Sequence, residues 1–472
     1  MARTPRQELD TRHSGETPAQ GPGKIISGRP RDYGRRDFLR AGALLGVGAG
    51  AAALAGCGDA SAPVAEGDAA SASESASPAA VSRRVVLGRT GVEVPDIGFG
   101  TFALDDSPES LSLVHYALDR GVTHFDTAEG YADGRAEVAL GHALAGRREQ
   151  VTITTKIVAA ADARADALMK RLEESLRRLR TDHVDFFLNH AVDDPARMSN
   201  PEWSAFVARA REQGKLRFSG LSGHGPSLVR CLDAALASGQ LDVILVGYNY
   251  IQSPDFLDSA KVWLQRQLGR LDWVALQPEL PSFLERAKAA GVGVMAMKTL
   301  RGARHNDLRP YERRGATFSQ AALRWVLSDP RVDAAVISMT SRALVDEYLV
   351  ASGGARPTGE DVALLSRYEW LNRERQCVQG CGACESACPS GVPIAGVLRA
   401  LMYERDYEQP EIAARTYAEL PRSAAACASC TGAPCASVCP TGVSIRSGTL
   451  AAHSRLAAHG PHGTVSPPGR LA

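Results

Sequence analysis

The chain contains 472 residues, of which 44% are hydrophobic and 23% are charged. This length allows two or three domains, and the composition excludes a chain that is disordered throughout. The 54 basic and 53 acidic residues leave a formal net charge of +1, which argues against a nucleic-acid partner. No run of about eighteen apolar residues is present, so we expect no ordinary membrane-spanning helix. Eight of the ten cysteines lie between Cys377 and Cys439, which indicates a specialised C-terminal segment.

The N-terminal segment has the order of features found in an export signal. Arg35 and Arg36 precede the Ala/Gly-rich stretch 41–54, and Cys57 follows directly after Leu-Ala-Gly. This order resembles a twin-arginine (Tat) signal peptide that ends in a lipoprotein cleavage site, so we predict a signal over residues 1–56. A lipid on Cys57 would then anchor the protein to the membrane on the periplasmic or extracytoplasmic side. The alternative is a buried Ala/Gly-rich helix that follows a chance pair of arginines.

The segment after the signal has a different composition. Residues 57–82 are rich in Ala, Ser, Gly, Asp and Glu, which bury too little apolar surface to offset chain entropy. We predict a disordered tether there. The rest of the chain is predicted to divide into a barrel at 83–355, a second domain at 356–450 and a flexible tail at 451–472.

Residues 84–350 alternate short β-rich segments with amphipathic stretches. Apolar residues recur at helical spacing in 163–180 and 318–328. Strands are predicted at 96–99, 123–126, 151–156, 184–190, 216–221, 243–246, 292–297 and 334–337. Eight strand-helix units over about 270 residues favour an α/β fold of the (β/α)8 TIM-barrel type.

Two segments depart from this simple alternation. Residues 85–87 and 92–94 flank Gly91 and predict a hairpin that closes the bottom of the barrel. Residues 252–273 form an apparent insertion between the sixth strand and its helix. Because loops after barrel strands line the active-site face, this insertion is expected to shape substrate access.

Four polar residues stand at or just after the ends of consecutive strands. Asp126 ends the second strand and leads to Tyr131, while Lys156 and His190 end the third and fourth. A barrel brings these strand ends to one rim, so we expect the four side chains to converge. Lys156 is expected to lower the pKa of the Tyr131 phenol, Asp126 to keep Lys156 charged, and His190 to polarise a substrate carbonyl. Taken singly, each residue also has a structural interpretation as a helix cap, a packing ring, a surface charge or a hydrogen-bonded strand end.

These residues and their surroundings resemble the aldo-keto reductase family. The similarity spans roughly residues 87–347 and is carried by 98–101, 125–131 and 297–300 together with the four polar residues. It implies that Asp126, Tyr131, Lys156 and His190 form the catalytic tetrad of that family. The implied reaction is reversible hydride transfer between NADP(H) and an aldehyde, ketone or alcohol.

The resemblance also implies an NADP(H) site extended across the rim. The positions carried over are Gly100, Thr101, Ser222, Met297, Lys298, Leu300, Ser338, Met339, Ser341, Arg342 and Glu347. Ser222-Gly223-His224 replaces the Ser-Asn pair frequent in the family, so His224 or Asn249 is expected to act as the polar partner. Arg342 is the obvious cation near the 2′-phosphate position, and the choice of NADP over NAD depends on it.

The C-terminal cysteines form an internal repeat in which each run ends in Cys-Pro. The two runs comprise Cys377, Cys381, Cys384 and Cys388, and Cys427, Cys430, Cys435 and Cys439. They resemble the bacterial two-cluster ferredoxin motif, which implies a mainly helical, ferredoxin-like domain with two 4Fe-4S clusters. In that motif the fourth cysteine binds the other cluster, so Cys439 joins the first three residues of run one and Cys388 the first three of run two. Disulfides and zinc sites remain alternatives, whereas Cys231 is predicted to be a small core residue.

The combined prediction is an exported, lipid-anchored oxidoreductase with a hydride-transfer barrel and an iron-sulfur unit. Its substrate would be a small carbonyl compound or alcohol, and a redox partner protein could exchange electrons with the clusters. The alternative function is a lipid-anchored electron-transfer protein whose barrel serves only as a scaffold. A substrate-binding lipoprotein without enzymatic activity leaves the eight clustered cysteines unexplained.

Overall fold

The fold was analysed in a computed structural model that describes residues 79–252, 279–301, 308–313, 315–372, 374–378, 381–407 and 409–457. The predicted signal, Cys57 and the tether up to residue 78 lie outside these residues. So do residues 253–273 of the predicted insertion. All described residues belong to one compact unit that spans 72–472.

Ten strands are described, and eight of them close a parallel barrel. Strands β1 (Arg84–Val86) and β2 (Glu93–Pro95) form an antiparallel hairpin. The barrel strands follow the order β10-β3-β4-β5-β6-β7-β8-β9. Their bounds are β3 Ile97–Gly100, β4 His124–Asp126, β5 Thr152–Ile157, β6 Val184–Asn189, β7 Leu216–Gly223, β8 Val243–Gly247, β9 Gly293–Met297 and β10 Ala334–Ser338. The predicted (β/α)8 barrel is confirmed.

The barrel strands are surrounded by helices that bury one apolar face. They are α1 Pro108–Leu118, α2 Arg135–Ala143, α3 Ala165–Leu179, α4 Pro201–Glu212, α5 Leu228–Ala237, α6 Glu279–Ala289, α7 Phe318–Ser328 and α8 Arg342–Leu349. In α3 the buried Leu168, Leu172, Leu176 and Leu179 recur every three or four residues, which explains why this stretch folds as an amphipathic helix. Thr317 and Gln320 form a capping box that begins α7.

The hairpin closes the bottom of the barrel, as predicted. Leu87 and Val94 are fully buried and pack with residues that point into the barrel, such as Phe186 and Met295. Gly91 turns the chain between the strands with φ of 69°, a conformation that glycine adopts without steric cost. The closed lower end leaves the upper rim as the accessible face.

Helix α9 (Gly359–Asn372) packs into the core of the barrel. Its Tyr368 ring lies 4.3 Å from the ring of Phe318 on α7, and Arg324 of α7 forms a buried ion pair with Asp361. The core of the barrel therefore extends beyond the boundary predicted at residue 355.

The cysteine-rich region forms a small helical lobe with its own hydrophobic core. Its helices are α10 Ala383–Ser386, α11 Ile394–Arg405, α12 Pro410–Ala418, α13 Pro434–Ser437 and α14 Ile445–Leu456. Val397 and Leu401 of α11, Tyr417 of α12 and Ile445 of α14 meet in this core. Helix α14 runs to Leu456, so regular structure continues past residue 451, where the tail was predicted to begin.

Among the described helices, none combines the length and the apolar character needed to cross a membrane.

Candidate active site

The four predicted tetrad residues lie together at the upper rim of the barrel. Asp126 ends β4, Lys156 lies near the end of β5, and His190 follows β6, while Tyr131 begins a short 3-10 helix after β4. These strands are neighbours in the barrel, with Asp126 paired to Thr154 and Lys156 to Leu188. The fold therefore brings together residues that are far apart in the sequence.

The ammonium group of Lys156 is the centre of the site. Its Nζ donates to Asp126 Oδ1 at 2.7 Å, to the carbonyl oxygen of Thr127 at 2.6 Å and to Tyr131 Oη at 3.3 Å. An ammonium has three donors, so all of them are used. The relative exposure of Lys156 is 1% and that of Asp126 is 3%, whereas Tyr131 and His190 are only partly buried. The Asp126–Lys156 pair is thus shielded from water, whereas Tyr131 and His190 stay accessible.

The phenol of Tyr131 is oriented by this contact. Because its oxygen accepts from Lys156, its own proton must point in another direction, and no acceptor for it is found in the described part of the chain. The expectation of a lowered phenol pKa is not met: burial raises the pKa of Tyr131 above its usual value, and Lys156 offsets this only in part. Burial alone would lower the pKa of Lys156, but Asp126 and Tyr131 together outweigh it, so the pKa of Lys156 is raised.

His190 faces Tyr131 in an edge-to-face arrangement, with ring centroids 5.7 Å apart. Its pKa falls to about 3, mainly through burial and further through the charges of Lys156 and Lys298. The imidazole is therefore neutral at physiological pH. A neutral imidazole can donate one hydrogen bond to a carbonyl oxygen, and it does so without adding a positive charge to the site.

Two aromatic residues that the sequence did not single out border the tetrad. Phe102, in the loop after β3, packs edge-on against Tyr131 with centroids 5.1 Å apart. On its other side, Phe102 lies 5.5 Å from the ring of Tyr403, which belongs to α11 in the cysteine-rich lobe. The lobe therefore contacts the rim beside the acid residue.

Several positions carried over for the cofactor lie on the same rim with structural partners of their own. Thr101 is buried and its Oγ1 donates to the carbonyl oxygen of Asp126. Ser222 Oγ accepts from the backbone of Ala191 at 3.1 Å. A Cβ on Gly100 would come within 3.2 Å of the β10 backbone, so its small size serves strand packing.

The carried-over positions after β10 also engage neighbouring elements. Ser341 Oγ caps the N-terminus of α8, and Glu347 accepts from Thr317 at the start of α7. Arg342 is exposed and donates to Ser112 Oγ at 2.8 Å. Ser338 ends β10, and Met339 follows it in a buried position. These contacts give the residues structural roles. Arg342 also remains exposed, so it is accessible to an anionic ligand.

The loop after β9 differs from these positions in its backbone conformation and in the partners of its side chains. Met297 ends the strand, Leu300 is buried, and Lys298 has φ of 61°, a conformation that non-glycine residues rarely adopt. No ion-pair or hydrogen-bond acceptor for Lys298 Nζ is found within the described ranges. His224 Nδ1 is likewise buried without a partner. Asn249, by contrast, is buried and uses both side-chain groups, on the backbones of Ile251 and Lys298. Lys298 and His224 therefore fit the prediction that polar ligand atoms bind here.

Known proteins are similar to this chain over the barrel region. Residues 96–257 match the Aldo/keto reductase family. A methylglyoxal reductase of Salmonella typhimurium is 30% identical over 243 residues, which cover 50% of this chain and 79% of the relative. The chain belongs to the aldo/keto reductase family. It is an oxidoreductase of that type.

Further relatives of this aldo/keto reductase are more distant. An L-glyceraldehyde 3-phosphate reductase of Escherichia coli is 24% identical over 315 residues, covering 60% of this chain and 90% of the relative. A solved aldo-keto reductase from Klebsiella pneumoniae, in complex with NADPH, is 26% identical, with a TM-score of 0.46 over 61% of this chain and 95% of that one. The family match ends at residue 257, so it includes neither cysteine run.

In this aldo/keto reductase, four cysteines of the C-terminal lobe line one cavity, and three others lie close to one another. An apolar cavity is lined by Cys377, Cys381, Cys384 and Cys439, the four residues carried over to one cluster. In the other set, Cys435 lies close enough to Cys388 and Cys427 for their charges to act on its thiol pKa. All nine described cysteines are free thiols, and Cys231 is buried in the barrel core, as predicted.

The internal repeat is also visible in the backbone. Val392 N donates to Cys388 Sγ at 3.4 Å, and the equivalent Val443 N donates to Cys439 Sγ at 3.3 Å. Gly391 and Gly442 both have positive φ between these partners. Each Cys-Pro turn thus directs a backbone N–H group at its sulfur atom.

Within the described part of the chain, no three His, Cys, Asp or Glu side chains converge closely enough to hold one metal ion. The assignment of iron ligands stays a prediction.

Proposed function

We propose that this aldo/keto reductase is exported and lipid-anchored, and that it catalyses reversible hydride transfer between NADP(H) and a small aldehyde, ketone or alcohol. We further propose that two C-terminal 4Fe-4S clusters are coupled to this reaction. The observation that carries the reductase activity is the buried Asp126–Lys156 pair that holds Tyr131 beside His190 at the open rim. A barrel that only served as a scaffold would have no use for this arrangement.

The proposed proton transfer follows from the hydrogen bonds. Tyr131 Oη accepts from Lys156, so its proton is available to a carbonyl oxygen in the site. As that proton leaves, the ammonium stabilises the developing phenolate at a distance of 3.3 Å. Asp126 keeps the ammonium charged, and neutral His190 donates to the same carbonyl oxygen. The raised pKa of Tyr131 keeps the phenol protonated before the reaction.

NADP(H) is the proposed hydride carrier and supplies or accepts the hydride when it is bound. His224 fits its polar groups, because its Nδ1 is buried without a hydrogen-bond partner among the described residues, and Lys298 adds a half-buried amino group in the loop after β9. Arg342, exposed at the start of α8, is the proposed contact for a 2′-phosphate. Relatives named as reductases of methylglyoxal and of L-glyceraldehyde 3-phosphate support a small carbonyl substrate.

The proposed clusters would be held by the two sets of cysteines in the C-terminal lobe. The shared cavity of Cys377, Cys381, Cys384 and Cys439 supports the first set. The N–H groups directed at Cys388 and Cys439 would add a hydrogen bond to one sulfur atom of each set. When bound, such clusters supply one-electron transfer, for which a redox partner protein is proposed. The Tat-type signal and Cys57 support export and attachment to the membrane on the periplasmic or extracytoplasmic side.

The reductase activity is tested by Tyr131→Phe, with Tyr116→Phe as the matched control. Tyr116 lies on α1, where its hydroxyl donates to Asp346 away from the tetrad. Loss of the acid should lower kcat for carbonyl reduction by roughly 10²- to 10⁴-fold, measured as oxidation of NADPH, while the control keeps its activity. Equal turnover of the two variants would exclude Tyr131 as the acid and favour the scaffold alternative.

The clusters are tested by anaerobic purification followed by iron and sulfide quantitation. About eight iron atoms and about eight sulfides per chain are expected for two 4Fe-4S clusters. Stoichiometric zinc without iron, or cysteines that resist thiol reagents until reduced, would contradict the assignment. Nucleotide released on denaturation, identified by mass spectrometry, distinguishes NADP from NAD.

A further inference from the structure

The acid residue Tyr131 stands on a turn whose backbone is strained. The two residues after it, Ala132 and Asp133, have φ of 50° and 55°, in the left-handed region that residues other than glycine rarely adopt. Such a turn persists only when surrounding contacts hold it in place. The position of the Tyr131 ring therefore depends on the side chains that touch it.

At least three side chains hold the Tyr131 ring. Lys156 Nζ donates to its Oη at 3.3 Å, and the centroid of the His190 ring lies 5.7 Å from that of Tyr131. The third is Phe102, whose ring meets Tyr131 edge-to-face, with centroids 5.1 Å apart and an interplanar angle of 87°. Aromatic rings in contact have centroids about 4.5–7 Å apart. Phe102 is thus the apolar neighbour in this set of three.

The backbone around Phe102 is fixed by the barrel, but its ring is not. Thr101 N donates to the carbonyl oxygen of Asp126 at 2.9 Å, and Leu104 packs in the barrel core. Within the described part of the chain, Phe102 itself belongs to no hydrophobic core. The conformation of its ring therefore needs a second contact besides Tyr131.

Tyr403 of α11 supplies this second contact. Its ring lies 5.5 Å from that of Phe102, measured between centroids, at an interplanar angle of 34°. Tyr403 packs against the core of the cysteine-rich lobe, in which Val397 and Leu401 of the same helix are buried. Phe102 is thus held between the acid and a ring that the lobe anchors.

We propose that Tyr403 is a positioning residue of the reductase, which fixes Phe102 and through it holds Tyr131 toward the substrate carbonyl. The C-terminal lobe then completes the reductase site in addition to carrying the cysteines. This inference rests on the proposed carbonyl reduction and deepens it, because it makes turnover depend on the lobe. Displacing a reacting group by about 1 Å can lower a rate about 100-fold, so a contact that acts through one intervening ring is sufficient.

The same contacts influence the pH at which the acid works. Burial raises the pKa of Tyr131 and is the largest influence on it. The polar groups that face Tyr131 are Lys156 of β5, Asp126 of β4, His190 after β6 and Tyr403 of α11. If Phe102 is released, water reaches the phenol and the effect of burial is reduced, while the ammonium remains. The pKa of Tyr131 should then fall, so the protonated acid is lost at a lower pH.

The test compares Tyr403→Leu, Tyr403→Phe, Phe102→Leu and the double variant Phe102→Leu with Tyr403→Leu. The matched control is Val397→Ala, which removes apolar volume from the same helix at a position buried in the lobe core. All are full-length proteins purified anaerobically. For each, kcat and KM for the reduction of methylglyoxal by NADPH are measured as a function of pH.

Tyr403→Leu should lower kcat by about 10- to 100-fold and move the alkaline fall of kcat about 1 pH unit lower. Tyr403→Phe, which keeps the ring, and Val397→Ala should retain both kcat and the pH profile. Because Tyr403 acts through Phe102, the double variant should be no slower than Phe102→Leu alone. Additive losses of kcat, or a change in KM alone with an unchanged pH profile, would overturn the proposal.

A second variant keeps the test decisive if circular dichroism shows that Tyr403→Leu fails to fold. Phe102→Leu changes a residue outside the hydrophobic cores, so the barrel and the lobe should both remain folded. It should reproduce the loss of kcat and the shift of the pH profile. Wild-type kcat in Phe102→Leu would refute the positioning role of Tyr403.

A measurement without turnover separates this proposal from the proposed function. Hydrogen exchange of residues 127–134 should be faster in Tyr403→Leu and in Phe102→Leu than in the wild-type protein and in Val397→Ala. If the wild-type protein reduces no carbonyl, the proposed function fails, yet this comparison still decides whether Tyr403 holds the turn of the acid. Equal exchange in all four proteins would show that it does not.

Discussion

The joint between the barrel and the cysteine-rich lobe contains a buried ion pair whose removal should be costly. Arg301 Nε and Nη2 donate to Glu369 Oε1 and Oε2 at 3.0 and 2.8 Å. The side chains are 4% and 8% exposed. Arg301 Nη1 also donates to the carbonyl oxygen of Cys377 at 3.2 Å, and Tyr250 donates to Glu369 at 2.8 Å. One guanidinium therefore connects the loop after β9, helix α9 and the first cysteine of the lobe.

Glu369→Gln keeps the shape of this side chain and removes its charge. The uncompensated guanidinium of Arg301 should then destabilise the fold by about 3–5 kcal/mol, the usual cost of breaking one side of a buried pair. Glu360→Gln is the matched control, because Glu360 lies on the same helix and its pair with Arg313 is exposed, at 59% and 68%. That surface pair should contribute less than about 1 kcal/mol.

The free energies of unfolding of the two variants are compared by urea denaturation, with tryptophan fluorescence as the signal. The comparison requires that the unfolding free energy depends equally on urea concentration in both variants. Because Arg301 also holds the Cys377 backbone, hydrogen exchange of residues 374–378 should accelerate in Glu369→Gln but not in Glu360→Gln. A double variant, Arg301→Met with Glu369→Leu, should cost less than the sum of the two single changes. If Glu369→Gln and Glu360→Gln lie within about 1 kcal/mol of each other, the burial argument is refuted.

Two further predictions concern a buried histidine and the cysteines. Burial lowers the pKa of His124 from the ordinary 6.5 to about 4. The neutral His124 ring therefore stabilises the fold fully at pH values above 6.5, and this stabilisation is lost as the pH falls from 6.5 toward about 4. Between about pH 7 and about pH 5 the unfolding free energy should fall by about 2 kcal/mol from this residue alone, a difference that His124→Gln should abolish. Cys384→Ser should reduce the iron bound per chain by about half, whereas Cys231→Ser in the barrel core should keep it, because only Cys384 lines the cysteine cavity. Equal iron content in the two cysteine variants would remove Cys384 from the ligands.

The barrel could be predicted from the sequence because its strands are buried on both faces. In β6 all six residues from Val184 to Asn189 are buried, and such a strand appears in the sequence as a short, mostly apolar run. Once the strands are placed, their ends are known, and Asp126, Lys156 and His190 follow from the rule that strand ends share one rim. Local patterns were sufficient because the relevant contacts are between neighbouring strands.

Features that depend on contacts between distant segments could not be predicted in this way. The raised pKa of Tyr131 results from burial, to which Phe102 contributes on one side of the ring. The contact of Tyr403 with Phe102 depends on how α11 lies on the barrel, and the amphipathic pattern of α11 shows only that one face is buried. Similarly, the apolar face of α9 does not indicate whether this helix packs in the core of the barrel or in the core of the cysteine-rich lobe.

Within the described residues, the cysteine-rich lobe contacts at least three strand-end loops of the rim. Arg301 after β9 holds the backbone of Cys377, Phe102 after β3 contacts Tyr403, and the loop after β7 meets the lobe at Gly382. A Cβ on Gly382 would lie 2.7 Å from Pro226 Cγ, and the φ of Gly382 is 64°, so both the space and the backbone favour glycine.

Gly382 lies directly after Cys381 and one residue before the helix that carries Cys384. A larger residue there would have to displace either the rim loop or the segment that holds two cysteines of the shared cavity. The close approach of Gly382 to Pro226 therefore links the position of this cysteine set to the reductase rim. The contact of Phe102 with Tyr403 likewise joins α11 to the loop that borders Tyr131, so the cysteine-rich lobe is attached to the rim both beside the cysteine cavity and beside the acid.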